Sequence, residues 1–233
     1  LLVGGLSWWR IRTVKRRAAR KQAQLQMENQ LLQLEQKALQ LQMNPHFIFN
    51  VLNTIQAFIV QQEQTTARRL LGQFAQLMRA ILQHARKPAV SLREEEALLR
   101  NYLALEQISR GERFEFDIQY KDEPAEDLQI PPLMIQPFVE NAIVHGIAPL
   151  PGGGRISLYF EPLKGGQGLL CTIRDNGIGL EESRRRQRRK YHRSAAIEVI
   201  GERLSLLRDE KGMGQIRISE WKKEDGQTGG TLV

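Results

Sequence analysis

From Arg20 to Leu41 the chain contains neither glycine nor proline and is dominated by Gln, Leu, Ala, Glu and Lys. A run of strong helix formers with no breaker leaves one long helix as the only regular structure open to it. Within it Met27, Leu31, Leu34, Ala38 and Leu41 recur at alternating spacings of four and three. That is a heptad seam, and it predicts a parallel coiled-coil homodimer. A second comb, Leu25, Leu32 and Leu39, lies one position round from the seam and reaches His46 after seven more residues. This register puts His46 at the edge of the dimer seam, within reach of another domain.

The formal net charge of +8 suggests nucleic acid until it is located. Residues 10–21 and residues 184–193 each hold seven basic side chains and no acid. With those 14 set aside from 34, 20 basic residues face 26 acidic ones, so the remaining body carries −6. The basicity belongs to two local runs rather than to a binding face spread over the fold. The first follows Leu1–Trp9, which is apolar but far shorter than the ~20 residues a spanning helix needs. Trp8 and Trp9 followed at once by Arg10, Arg12, Lys15, Arg16 and Arg17 is the order expected where a helix leaves a bilayer on its cytoplasmic side. A solvated basic helix start is the alternative. The chain does not open with Met, and its final Thr-Leu-Val reads like a strand cut short, so a piece of a longer protein is expected. A single cysteine, Cys171, excludes an internal disulfide, and no zinc or haem spacing is present.

The segment from Gln42 to Asn53 is the most unusual in the chain. Pro45 lacks an N–H and should bend or restart the helix just before His46. After it, Phe49, Leu52, Ile55 and Ile59 form an apolar face at helical spacing, while His46, Asn50 and Asn53 fall on another. A lone histidine is ordinarily structural; a polar line beside a proline break makes this one a candidate for chemistry. Thr65 or Thr66 can cap a second helix, with Leu70, Phe74, Leu77, Met78, Ile81 and Leu82 as its inward stripe up to Pro88. Two antiparallel helices per chain give a four-helix bundle in the dimer. Ser91 and Glu94 form a capping box that opens a third helix running to about Arg110. Glu94, Glu95 and Glu96 read as a favourable charge cluster in its first turn.

Beyond Gly111 an α/β domain begins. Phe114, Phe116 and Ile118 alternate as in a strand. Pro131 to Gly146 reads as a helix, with Glu140, Asn141 and His145 near its C-terminal end. Strands follow at Ile156–Phe160 and Leu169–Arg174, joined by a turn at 165–168. The second ends in Asp175-Asn176-Gly177-Ile178-Gly179, which offers a carboxylate at a pocket mouth and glycines that let backbone approach a ligand.

These motifs resemble a known family over nearly the whole chain. Asn-Pro-His-Phe-x-Phe-Asn at 44–50 resembles the phosphoacceptor helix of LytS/YehU-type sensor histidine kinases. Val-Glu-Asn-Ala at 139–142 and Asp-Asn-Gly-Ile-Gly at 175–179 resemble the N box and first glycine box of GHKL ATP-binding domains. The resemblance implies an α + α/β chain, a helical-hairpin dimerisation and phosphoacceptor domain followed by a GHKL α/β sandwich. It implies ATP and Mg²⁺ as cofactors, His46 as phosphoacceptor, and Asp175 as acceptor for the adenine amino group. Asn141 would hold Mg²⁺ through its amide oxygen, as a hard cation requires. Glu140 is left with three roles: orienting a metal-bound water, assisting proton transfer, or holding its helix. Gly177 and Gly179 would open a lid, and His145 would lie near the phosphates or the lid base. The run Arg184–Lys190 falls in that lid, attracted to the triphosphate or to an acidic partner. In the second glycine box this chain has Ser194 and Ala196 where many relatives have glycine, so an altered contact to phosphate is expected, with the Ser194 hydroxyl as an added donor.

Phe47 occupies the place where many other histidine kinases carry an acid, so no assisting base is assigned, and Asn50 is suited to orienting the ring or a water. The boundaries expected are 1–22 for a membrane exit and basic juxtamembrane segment, 23–90 for the coiled coil and phosphotransfer hairpin, 91–111 for a connecting helix, and 112–233 for the ATP-binding domain. The expected function is autophosphorylation on His46 and transfer to an aspartate of a response-regulator receiver domain, of the LytTR type by resemblance. The expected setting is the cytoplasmic side of the inner membrane, with an N-terminal membrane span and no direct nucleic-acid contact. The alternatives are a kinase-weak nucleotide-sensing scaffold or response-regulator phosphatase of the same fold, and a nucleic-acid module built on the arginine run.

Overall fold

The computed structural model describes residues 45–121, 128–163, 168–187, 200–201, 215–222 and 228–233, together with Lys15, Arg17 and Lys21. The chain divides into two compact units, Leu1–Leu41 and Gln42–Val233. In the first, Lys15, Arg17 and Lys21 are helical and exposed. The heptad seam, the comb leading to His46 and the membrane exit lie outside the described residues. Among the described residues, no helix is long and apolar enough to cross a membrane.

The second unit opens with helix α1, Pro45–Val60. Its buried face is Phe47, Val51 and Ile55, one residue per turn. This corrects the face expected from sequence: Phe49 is 63% exposed, Leu52 42% and Ile59 57%, and of that set only Ile55 is buried. The helix is apolar on two sides, so periodicity names two stripes without deciding which meets the rest of the chain. Gln62, in the left-handed region at φ 63, turns the chain, and the N–H of Glu63 donates to the Phe58 carbonyl at 2.9 Å. Helix α2, Gln64–His84, follows directly. Its N-cap is Glu63, with no side-chain cap bond, so neither Thr65 nor Thr66 caps it. Both threonines already sit inside the first turn, two and three residues past the capping position. Leu70, Leu77 and Ile81 are buried as expected and Phe74 packs against the core, but Leu82 is 47% exposed.

Strand β1, Val90–Ser91, pairs antiparallel with β3, Gln129–Ile130. Helix α3, Leu92–Ser109, starts from the capping box read in the sequence. Glu94 N–H donates to Ser91 Oγ at 3.2 Å, and Ser91 N–H donates to Glu94 Oε2 at 2.8 Å. The helix ends at Gly111, whose φ of +68 suits a residue without Cβ. Leu98, Leu99, Tyr102, Leu103 and Leu105 are almost wholly buried, because α3 is covered by α1 and α2 and also packs on β2, Phe114–Tyr120.

The sheet runs β2-β4-β5-β7-β6, with β4 at Gly154–Pro162, β5 at Leu169–Asp175, β6 at Ser219–Lys222 and β7 at Thr228–Leu232. β2 and β4 are parallel; the other pairs are antiparallel. Ile156, Leu158, Phe160 and Ile173 alternate inward and share one core with the helices. The turn expected at 165–168 lies mostly outside the described residues, although Leu163 N–H donates to the Gly168 carbonyl across it at 2.9 Å. This is the expected fold class, helices followed by a mixed α/β sandwich.

One helix differs from expectation. Instead of running from Pro131, α4 spans only Gln136–Asn141 and continues as a π-helix over Ala142–Ile147. Pro131 and Pro132 keep the preceding backbone out of the α region, and Leu133 takes a left-handed φ of 58. Ala148 N–H reaches back five residues to the Ile143 carbonyl at 2.8 Å, the bond of the wider turn.

Candidate nucleotide and phosphoacceptor sites

His46 stands in the first turn of α1, exposed, with the Asn50 amide nitrogen 3.1 Å from its Nδ1. The spacing of four puts the two side chains one above the other. As placed, the amide donates to Nδ1, which assigns the ring proton to Nε2. A half-turn of the amide exchanges donor for acceptor, moves the proton to Nδ1 and makes Nε2 the unprotonated nitrogen. The next residue, Phe47, turns inward: its ring lies 4.8 Å from that of Tyr102 and 6.3 Å from that of Phe74. Tyr102 donates to Glu106 Oε1 at 3.3 Å, and Glu106 Oε2 also accepts from Arg110 at 2.7 Å. Burial, then the negative charges of Glu106 and Glu140, push the Tyr102 phenol well above its ordinary range.

The second constellation gathers where β5 ends. Asp175 is 3% exposed, and its Oδ1 accepts from the backbone N–H of Gly177 at 2.8 Å and of Thr231 at 3.2 Å. Burial raises its pKa, and those two N–H groups oppose the shift. Its carbonyl accepts from Trp221 Nε1 at 2.7 Å, and the Arg174 guanidinium lies 3.5 Å over the Trp221 ring. The π-helix delivers Gly146 to this carboxylate, where a Cβ on Gly146 would come within 2.8 Å of Asp175 Oδ1. A Cβ on Gly177 would meet the Gly146 backbone at 2.4 Å, and Ile178 N–H donates to the Gly146 carbonyl at 3.1 Å. Gly179 has φ +80 and begins the turn into helix α5, Leu180–Gln187. Gly177 therefore stands where backbone meets backbone, Gly146 where backbone meets the Asp175 carboxylate, and Gly179 against the side chains of Thr228 and Glu220.

Asn141 donates from Nδ2 to the Pro137 carbonyl at 2.7 Å, which fixes its amide so that Oδ1 is the group left to accept. Glu140 and His145 are half-buried on the same run, and burial lowers the His145 pKa. A hard oxygen donor at Asn141, a buried carboxylate at Asp175 and a glycine-lined approach fit a magnesium nucleotide. Glu140, Asn141, His145, Asp175, Gly177 and Gly179 thus belong to α4, its π extension and the end of β5, while His46 and Asn50 stand on the hairpin. Ser194 and the arginine run from Arg188 onward lie outside the described residues. Of that run, Arg185 is exposed and pairs with Glu182 at 3.4 Å.

Residues 34–114 match the family model described as histidine kinase. The chain is 39% identical over 163 residues to the sensor protein LytS of Staphylococcus haemolyticus, which covers 69% of this chain and 27% of that protein. It is 32% identical over 173 residues to the sensor histidine kinase YpdA of Escherichia coli, covering 74% and 29%. The chain belongs to the LytS-type sensor histidine kinase family. This histidine kinase chain spans between a quarter and a third of the length of those relatives. The solved histidine kinase domain from Erythrobacter litoralis EL346 superposes on 86% of this chain and 92% of its own, with 14% identity and a TM-score of 0.41.

Sequence reasoning missed several groups that build the two candidate sites. Trp221 and Thr231 come from strands far along the chain, and nothing local marks them. Gly146 was visible only as the end of a helix. Tyr102 and Glu95 sit in helix α3, where periodicity predicts burial of the first and solvation of the second; Glu95 is fully buried.

Proposed function

We propose that this kinase chain binds ATP with Mg²⁺ at the Asn141–Asp175 constellation and autophosphorylates His46. The phosphoryl group then passes to an aspartate on a response-regulator receiver domain. The observation that carries the reading is the pairing of an exposed imidazole, oriented by Asn50, with a buried carboxylate held by two backbone N–H groups, both in one compact unit.

Asp175 discriminates the base, because a carboxylate accepts from the adenine amino group and repels the carbonyl that guanine has there. Asn141 presents its amide oxygen to the metal, which when bound neutralises phosphate charge. With Asn50 turned to accept from Nδ1–H, His46 Nε2 attacks the γ-phosphorus. The new N–P bond forms as the bond to the ADP oxygen breaks, and ADP leaves with that electron pair. Phe47 supplies no base, so rate comes from placement of the ring. The exposed stripe of Phe49, Leu52 and Ile59 supports a homodimer whose hairpins form a four-helix bundle. The domain division at 90 and 111, attachment to the inner membrane through a preceding span, and a LytTR-type regulator complete the proposal.

Incubation of the dimer with γ-labelled ATP tests it. Acid-labile label is expected on wild type and absent from His46→Gln. Intact nucleotide binding with no label on wild type would instead favour a sensing scaffold or phosphatase, the outcome that Ser194 and Ala196 make worth distinguishing.

A further inference from the structure

Helix α3 touches both constellations with one face. Glu95, Tyr102 and Glu106 follow at spacings of seven and four, so they share a stripe along the helix. Tyr102 stacks against Phe47, the neighbour of His46. About 10 Å nearer the start of the helix, at ~1.5 Å per residue, Glu95 Oε2 accepts from the backbone N–H of Leu133 at 3.0 Å. Leu133 is itself buried and holds a left-handed φ of 58, a conformation a leucine adopts only when its surroundings impose it. Three residues later α4 begins, and it carries Glu140 and Asn141.

We propose that Glu95 is a positioning residue for the metal end of the nucleotide site. Its carboxyl fixes the turn at Leu133, the turn sets where α4 starts, and α3 references that start to the helix bearing His46. The inference rests on the nucleotide-binding reading above. It assigns Glu95 a task that a charge cluster in a first helical turn does not have, and the two neighbouring acids show the contrast. Glu94 is half-exposed and closes the capping box, and Glu96 pairs with Arg100 at 2.6 Å. Of the three acids, Glu96 also reaches across the fold, to the Tyr120 hydroxyl on β2, while Glu95 reaches the backbone of the turn before α4. The adenine end is built differently, on β5 and β7, where Asp175 Oδ1 accepts from the N–H groups of Gly177 and Thr231.

The test separates the two ends. Titration calorimetry on the full chain gives ATP affinity in EDTA and the Mg²⁺ concentration that half-saturates binding at fixed ATP. Glu95→Met replaces the carboxyl by an apolar side chain of similar length, a change a purely structural buried acid tolerates. Glu95→Asp keeps the charge and retracts the oxygen. Both are expected to raise the half-saturating Mg²⁺ at least tenfold while metal-free ATP affinity moves less than threefold. Glu95→Gln, whose carbonyl still accepts from Leu133, is expected to stay within threefold of wild type on both. Wild-type metal dependence in Glu95→Asp, or a loss in Glu95→Gln as large as in Glu95→Asp, overturns the proposal; if Glu95→Met does not fold, that pair decides alone. A wild-type chain that takes up no nucleotide sinks the functional reading instead.

Discussion

Asp175 holds a charge where the solvent cannot reach it, and its energetics follow. Its folded pKa lies above the ordinary 3.8 because burial penalises the ionised form. The folded protein therefore keeps the proton to higher pH than the unfolded chain does. The stability linked to that proton is complete below the ordinary carboxylate range and is lost as pH rises through the folded pKa. Asp175→Asn keeps an oxygen for the N–H groups of Gly177 and Thr231 and removes the charge. It is expected to be more stable than wild type at pH 7 by about 1 kcal/mol, with the gap closing towards pH 3.8, read from urea unfolding at each pH. The same variant should bind ATP roughly 10- to 100-fold more weakly, the worth of a hydrogen bond to a charged group. Gly177→Ala belongs to the same corner. Its methyl meets the Gly146 backbone at 2.4 Å, and a loss of about 1–3 kcal/mol is expected in the same unfolding assay.

Among the elements, α3 was the most legible and the Pro131–Gly146 helix the least. A capping box is a local contact between residues three apart, so Ser91 and Glu94 announce the start of α3 without help from the rest of the fold. Ser91→Ala should cost about 1 kcal/mol. Glu94 is held at about 2 by the hydrogen bond from Lys87 and the backbone N–H of Ser91. Its contribution is present above the ordinary value of 4.5 and is lost as pH falls towards 2, so the stability difference between wild type and Glu94→Gln should shrink across that window. Because Glu94 is half-exposed, solvent screening keeps that difference small. The π-helix carries no such local signature. Its extra residue per turn is selected by what it meets, the backbone at Gly177 and the carboxylate of Asp175, both some thirty residues away in sequence.

At the scale of the molecule, α1 carries the face proposed for the dimer. It buries Phe47, Val51 and Ile55 within its own chain and leaves Phe49, Leu52 and Ile59 outward, an apolar stripe that a monomer exposes to water. Phe49→Glu combined with Leu52→Glu should convert a dimer to a monomer in analytical ultracentrifugation while leaving the circular dichroism melt of the hairpin core intact, since neither residue is buried there. An unchanged dimer would place the interface elsewhere.

The sequence by itself determined the order of parts from Pro45 onward: a hairpin bearing His46, a capped connecting helix, and strands ending in Asp175. Those follow from propensity, capping and alternation, which act between residues a few positions apart. The tertiary structure alone decided which of two apolar stripes on α1 turned inward, why Glu95 is buried against Leu133, and how Trp221 and Thr231 come to hold Asp175. Each of these is a contact between segments distant in sequence, and its energy exists only once the layers have packed.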